Sequence, residues 1–101
     1  MIQLAMSGFI YKYQKEINQI CGEYGISYLA IFGSQARNEA RDDSDVDFLV
    51  EFKNTPGLIE FIKAKQEFEK VLNKKVDMVT KNSLSKYLAP YVNRDIQRIY
   101  G

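Results

Sequence analysis

Apolar residues recur with helical spacing near the start of the chain and with strand spacing soon afterwards. Between Ile10 and Tyr24 the apolar side chains fall three or four residues apart, which predicts an amphipathic helix that ends before Gly25. The next seven residues, "ISYLAIF" from Ile26 to Phe32, are apolar and rich in strand formers. They predict a short strand that is buried on both faces.

A second strand is predicted from Asp45 to Phe52, where side chains alternate between two faces. One face would carry Val46, Phe48, Val50 and Phe52, and the other Asp45, Asp47, Leu49 and Glu51. The first face is entirely apolar, so it is expected to point into the core. The second face combines three carboxylates with one leucine, so its environment does not follow from the alternation alone.

The stretch "KNTPG" predicts a turn into another helix, with Thr55 as its N-cap and Pro56 at its first helical position. Apolar residues from Leu58 onward carry that helix to about Asn73. The following "KKVDMVT" predicts a third short strand, which contains Asp77.

From Ser83 onward the spacing again favours helix, divided at Pro90 into a short and a longer piece. Ile96 and Ile99 belong to the apolar side of this last helix. The whole order is then α-β-α-β-α-β-α without repeats or linkers. It predicts one α/β or α+β domain over residues 1–101, built on a three- to four-stranded mixed sheet flanked by helices.

The composition of the chain limits the functions and the catalytic groups that are possible. The chain has a net charge of +1 and no basic cluster, so direct nucleic-acid binding is not expected. No apolar run approaches the ~20 residues that span a bilayer. The single cysteine, Cys21, lies on the apolar side of a predicted helix and suits a small buried side chain in a reducing, cytoplasmic environment. The absence of histidine excludes imidazole bases and histidine-ligated metals, so any catalysis must rest on carboxylates.

Asp45 and Asp47 are two residues apart on a predicted strand and therefore share a face, with Cα atoms roughly 6.5–7 Å apart. Carboxylates so placed can share Mg²⁺ ions, and Asp77 would add a third carboxylate if its strand were adjacent. The alternative is that the two aspartates simply form the solvent face of an edge strand.

Upstream, Gly33 and Ser34 stand where the first strand would turn into a short helix through "QARNEA". Glycine allows a ligand close to the backbone, and the free N–H groups at a helix start suit a phosphate. The Ser34 hydroxyl and the Arg37 guanidinium could both contact that anion. Taken singly, Ser34 is better explained as an N-cap and Arg37 as a surface charge. A phosphate-binding turn followed by paired carboxylates, however, forms the two halves of a nucleotide–Mg²⁺ site.

Gly33-Ser34, ten intervening residues and Asp45-Val46-Asp47 together resemble the G-S-x₁₀-D-x-D motif of the DNA polymerase β-like nucleotidyltransferases. The string "FGSQARNEARDDSDVDFLVEF" is similar to the minimal nucleotidyltransferase (MNT) branch, whose members often act as antitoxins of HEPN-domain toxins. "KVDMVT" resembles the strand with the third carboxylate, and the segment from Tyr87 to Tyr100 resembles the closing helix. Asn38 departs from the glycine that the branch often has after A-R, a minor change because asparagine tolerates a left-handed backbone.

The resemblance implies the polymerase β-like fold and transfer of AMP from ATP to a hydroxyl, in the antitoxin branch a tyrosine of the cognate HEPN ribonuclease. It also implies roles for six residues: Gly33 and Ser34 in triphosphate binding, Arg37 in supporting that loop, and Asp45, Asp47 and Asp77 in holding Mg²⁺. Asp77 would also activate the attacking hydroxyl. A homo- or hetero-oligomer is compatible with this function.

Two other functions remain open at this stage. A non-catalytic antitoxin could neutralise its toxin by covering it, for example with the tyrosine-bearing face of the predicted last helix, which includes Tyr87, Tyr91 and Tyr100. A small-molecule nucleotidyltransferase would need a further domain to hold its acceptor, for which 101 residues leave no room. A templated polymerase is disfavoured because a basic groove is missing.

Overall fold

A computed structural model of the chain describes residues 8–32, 45–80 and 96–101. Its elements are three helices, α1 (Gly8–Lys12), α2 (Gln14–Glu23) and α3 (Leu58–Leu72), and four strands, β1 (Ile26–Phe32), β2 (Val46–Phe52), β3 (Val76–Thr80) and β4 (Gln97–Tyr100). The short helix predicted after Ser34 and the helical segment predicted from Ser83 to residue 95 lie outside these ranges. Of the helices within them, none is long and apolar enough to cross a membrane.

The four strands form one mixed sheet in the order β3-β2-β1-β4. β1 pairs antiparallel with both β2 and β4, whereas β2 pairs parallel with β3. The predicted fold class, a small mixed sheet flanked by helices, is therefore confirmed. The parallel pair is possible because α3 provides the crossover that returns the chain to the same end of the sheet.

The N-terminal helical segment is divided, which corrects the prediction of one helix from Ile10 to Tyr24. Tyr13 separates α1 from α2 with φ −108° and ψ 16°, values outside the helical range. The apolar spacing survives this break, since Ile10, Ile17 and Cys21 are all fully buried. Gly25 ends the segment as predicted, with a left-handed φ of +68°.

α3 begins later than predicted. Its N-cap is Gly57 and its first residue is Leu58, so Thr55 and Pro56 lie in the preceding connection. Gly57 has an extended backbone, and its carbonyl accepts the Phe61 N–H at 3.1 Å, the bond that starts the helix. The predicted end was correct, because Asn73 is the C-cap, left-handed at φ 55°.

The end of the chain is a strand, not the predicted helix. Gln97–Tyr100 forms β4, with Arg98 opposite Ala30 of β1. Ile96 and Ile99, three residues apart, were expected on one helical face. They instead contribute to opposite sides of the sheet, where Ile99 joins the main core and Ile96 packs on a second, smaller cluster. The three-residue spacing therefore fits a strand that is covered on both faces.

The core lies mainly on one side of the sheet. Val46, Phe48 and Val50 are fully buried there against α2 and α3. On the other side, Leu49 and Ala30 form the second cluster together with half-buried neighbours, Tyr28, Phe32 and Ile96. The alternation predicted for β2 is confirmed. Leu49 is covered, which leaves the aspartates at the start of β2 and Glu51 near its end as the polar part of that face.

Candidate active site

Asp47 and Asp77 are directly opposite each other in the parallel pairing of β2 with β3. Paired residues on neighbouring strands are about 4.8 Å apart at the backbone and lie on the same face of the sheet. Asp45 comes two residues before Asp47, immediately ahead of β2. The structure thus confirms the strand adjacency on which a three-carboxylate cluster depended, and it brings all three aspartates to one end of the sheet.

The buried residues that precede Asp47 and Asp77 indicate the direction in which these two carboxylates point. Val46 and Val76 face each other in the register and are both fully buried on the core side. Because side chains alternate along a strand, Asp47 and Asp77 must point to the opposite face. The Val46 N–H donates to the Lys75 carbonyl at 2.9 Å, which ties the beginnings of the two strands together.

The surroundings of Asp47 affect the ionisation of its carboxyl group. It is half-buried, whereas Asp45 and Asp77 are exposed. Burial raises the pKa of Asp47 above its ordinary value, and the negative charges of Asp77 and Asp45 raise it further. Negative charge therefore accumulates around Asp47, and a bound cation would relieve it.

The predicted triphosphate-binding residues, Gly33, Ser34 and Arg37, lie outside the described residues. The last described residue before them is informative, however. Phe32 closes β1 and is the cross-strand partner of Asp47. The described part of β1 therefore ends beside Asp47.

The donor set fits Mg²⁺ only if the substrate supplies further ligands. Within the described ranges, no group of three or more carboxylate or cysteine side chains is placed to hold a metal ion by itself. Mg²⁺ is commonly bound by one or two carboxylates together with water and substrate phosphates, without a complete protein cage. Paired oxygen donors at Asp47 and Asp77, with Asp45 nearby, match that kind of site.

Two cavities lined by described residues lie elsewhere. One, of about 500 Å³, includes Tyr24, Lys53, Pro56 and Lys63 in its lining. It adjoins the far end of β2, roughly 17 Å along the strand from Asp47. Its charged side chains are of both signs, so it has no clear preference for an anion.

Sequence reasoning missed one residue next to this cluster. The Glu69 carboxylate in α3 accepts a hydrogen bond from the Val76 backbone N–H, immediately before Asp77. In the sequence, Glu69 is four residues after Lys65 and looks like half of a surface ion pair, which it also forms at 3.8 Å. The sequence contained no local signal for the contact with β3.

The fold and this carboxylate cluster define the class of protein. Residues 15–101 match the family described as "Polymerase beta, Nucleotidyltransferase", and the chain belongs to that family. The resemblance noted in the sequence is confirmed.

Within the family, the proteins similar to this chain include a protein adenylyltransferase. The chain is 38% identical over 84 residues to the protein adenylyltransferase MntA of Thermococcus cleftensis, covering 83% of this chain and 82% of the relative.

Solved structures agree with this placement. A structure presented as a candidate minimal nucleotidyltransferase superimposes with a TM-score of 0.77 at 30% identity, covering 94% of this chain and 98% of the other. The fold is also shared with a Shewanella oneidensis complex of a tri-AMPylated HEPN toxin with its MNT antitoxin. That match has a TM-score of 0.67 at 20% identity and covers 90% of this chain and 71% of the other.

Proposed function

We propose that this protein is an Mg²⁺-dependent adenylyltransferase that transfers AMP from ATP to a tyrosine hydroxyl of a HEPN ribonuclease toxin and thereby acts as its antitoxin. The observation that carries the proposal is the direct opposition of Asp47 and Asp77, with Asp45 beside them, in a chain 38% identical to a protein adenylyltransferase. A conserved fold alone would not imply an active site, but a complete carboxylate set on that fold supports one.

The proposed roles follow the chemistry of each residue. Gly33 and Ser34 bind the triphosphate, and Arg37 supports that loop. Asp45, Asp47 and Asp77 hold Mg²⁺, which would neutralise charge on the phosphates. Phosphoryl transfer asks the protein mainly for positioning and charge neutralisation, so a chain without histidine can perform it.

The transfer itself balances without another reactant. The acceptor hydroxyl oxygen forms a bond to the α-phosphorus of ATP, and the bond between that phosphorus and the bridging oxygen breaks. Pyrophosphate leaves, and the hydroxyl proton passes to a carboxylate, for which the exposed Asp77 is the proposed acceptor. Asp47, half-buried and next to two negative charges, is better suited to hold the cation.

The proposed partner rests on the relatives. The S. oneidensis MNT antitoxin binds a HEPN toxin that carries AMP groups, and this chain shares its fold. The alternative function, a non-catalytic antitoxin that neutralises its toxin by binding alone, is now less well supported. Tyr100, which was expected on the tyrosine-bearing face of a helix, belongs to β4 and packs on the core.

The proposal is tested by intact-mass analysis of a cognate HEPN protein after incubation with this protein, ATP and Mg²⁺. We expect an adenylyl adduct that Asp45→Asn and Asp77→Asn abolish. Glu16→Gln serves as the control, since it removes one exposed charge in the first turn of α2.

Two outcomes would contradict the proposal. An intact protein that binds ATP but adds no AMP would exclude catalysis on this partner. An Asp45→Asn variant that neutralises the toxin as well as the intact protein would show that binding, and not transfer, is the antitoxin mechanism.

A further inference from the structure

The backbone N–H of Val76 points away from the sheet. Val46 donates to Lys75, so in this parallel pair the residues on either side of Val76 bond to β2. The N–H of Val76 itself must then face the outer side of β3, which is an edge strand of the sheet formed by the described residues. Val76 is fully buried, and an unbonded amide at this position would be costly.

Glu69 provides the missing acceptor. Its Oε2 atom accepts the Val76 N–H at 3.0 Å, a charge-assisted bond from the last turns of α3 to the first residue of β3. The backbone carbonyl of the same residue accepts the Asn73 N–H at 2.8 Å. Glu69 therefore holds both ends of the three-residue connection between α3 and β3.

This connection leads directly to the site. Asp77 follows Val76, and its position opposite Asp47 depends on where β3 begins. The carboxylate of Glu69 is on the helix side and does not belong to the aspartate cluster, so it can influence Asp77 only through the backbone. Lys65 lies 3.8 Å from the same oxygen and helps to orient the carboxylate.

We propose that Glu69 is a positioning residue for the transfer reaction: by bonding to the Val76 N–H it keeps β3 in register and holds Asp77 opposite Asp47. The inference rests on the proposed function, because it assigns Glu69 a part in that same reaction. Small displacements of a reacting group have large kinetic effects, about 10²-fold for 1 Å.

The test compares Glu69→Ala with Glu69→Gln in the full-length protein. Alanine removes the acceptor, whereas the glutamine side chain retains an amide oxygen at the same place. Glu67→Ala is the matched control, because it removes a carboxylate from the same helix that pairs with Lys70 at 3.7 Å.

Two measurements are made on each variant. Steady-state AMP transfer to the HEPN protein gives kcat and the KM for ATP. Amide hydrogen exchange followed by NMR reports protection of the Val76 N–H, with the Leu49 N–H, which lies in the pairing of β2 with β1, as the reference for the intact core.

We expect kcat to fall about tenfold or more in Glu69→Ala, with the KM for ATP changed less than about twofold. Val76 exchange should accelerate while Leu49 protection is retained. Glu69→Gln should restore both kcat and Val76 protection, and Glu67→Ala should leave both unchanged.

The inference is overturned if Glu69→Ala retains full kcat in an otherwise active protein. It is equally overturned if kcat falls only in proportion to a loss of Leu49 protection, since Glu69 would then serve general stability. Absence of transfer by the intact protein is a different result. It contradicts the proposed function itself, and the positioning role is then rejected with it.

Discussion

The ring of Phe48 meets the ring of Phe68 edge to face, with their centroids 5.1 Å apart and the planes inclined at 69°. Both side chains are fully buried. Phe48 follows Asp47 in β2, and Phe68 precedes Glu69 in α3. The contact therefore sets how closely the helix lies on the sheet, and each ring is adjacent in sequence to a residue of the proposed site or its support.

Truncating Phe68 should cost much of the stability of the domain. We expect Phe68→Ala to lower the free energy of unfolding by about 3–5 kcal/mol, as is usual for a fully buried phenylalanine. Phe61→Ala is the comparison, since that ring is half-buried and its centroid is 6.0 Å from that of Phe52. Urea denaturation measures both variants, and equal losses would contradict the central role of the Phe48–Phe68 contact.

Asp47→Asn should make the protein more stable at neutral pH while abolishing transfer. Burial and two neighbouring carboxylates raise the pKa of Asp47 in the folded state, so its ionised form opposes folding. That penalty is present above the folded-state pKa and disappears as the pH falls below the ordinary value of 3.8, where both states are protonated. For a half-exposed charge the gain is on the order of 0.5 kcal/mol.

The pH dependence is the discriminating feature of this variant. Denaturation near pH 7 should show the gain, and denaturation near pH 3 should not. A variant that is less stable than the intact protein at neutral pH would mean that Asp47 makes a stabilising contact as its carboxylate.

Nucleotide and metal should stabilise the protein together. A non-hydrolysable ATP analogue at 100 times its Kd is expected to add about 2.7 kcal/mol of stability when Mg²⁺ is present. Removal of Mg²⁺ with EDTA should reduce that gain in stability. In the Asp77→Asn variant, the stabilisation by the analogue should not change when EDTA is added. Thermal denaturation reports the shift in Tm. If the intact protein with bound analogue has the same Tm with and without Mg²⁺, that result would argue against a metal at the aspartates.

Two glycines three residues apart should respond to alanine in opposite directions. Gly25 has φ +68°, and an added Cβ meets no atom within 4 Å, so Gly25→Ala would suffer only backbone strain, about 1 kcal/mol. Gly22 lies in α2 with the same free space, and Gly22→Ala should gain about 0.5 kcal/mol from better helix propensity. Chemical denaturation of both variants measures the pair, and a stabilising Gly25→Ala would contradict the assigned backbone conformation.

Local patterns predicted those parts of the structure that depend on neighbouring residues. The alternation of Val46, Phe48 and Val50 identified both β2 and its buried face, and Gly25 marked the end of α2. The pairing of β2 with β3 could not be derived in this way. Thirty residues separate Asp47 from Asp77, and only the packing of α3 on the sheet determines which strands become neighbours.

The errors have the same origin. The three-residue spacing of Ile96 and Ile99 suits a helix as well as a strand that is covered on both sides. The segment forms a strand because it pairs with β1. Glu69 was overlooked because its partner is a backbone amide, which leaves no mark in the sequence.

Because of its environment, Cys21 is a natural reporter of local unfolding in this protein. The side chain is fully buried in α2, and burial raises the pKa of the thiol to about 12, so the nucleophilic thiolate is nearly absent in the native state. It is the only cysteine in the chain. An alkylating reagent therefore reacts only with molecules in which α2 has separated from the sheet, and the rate of its incorporation follows that local unfolding without any engineered label.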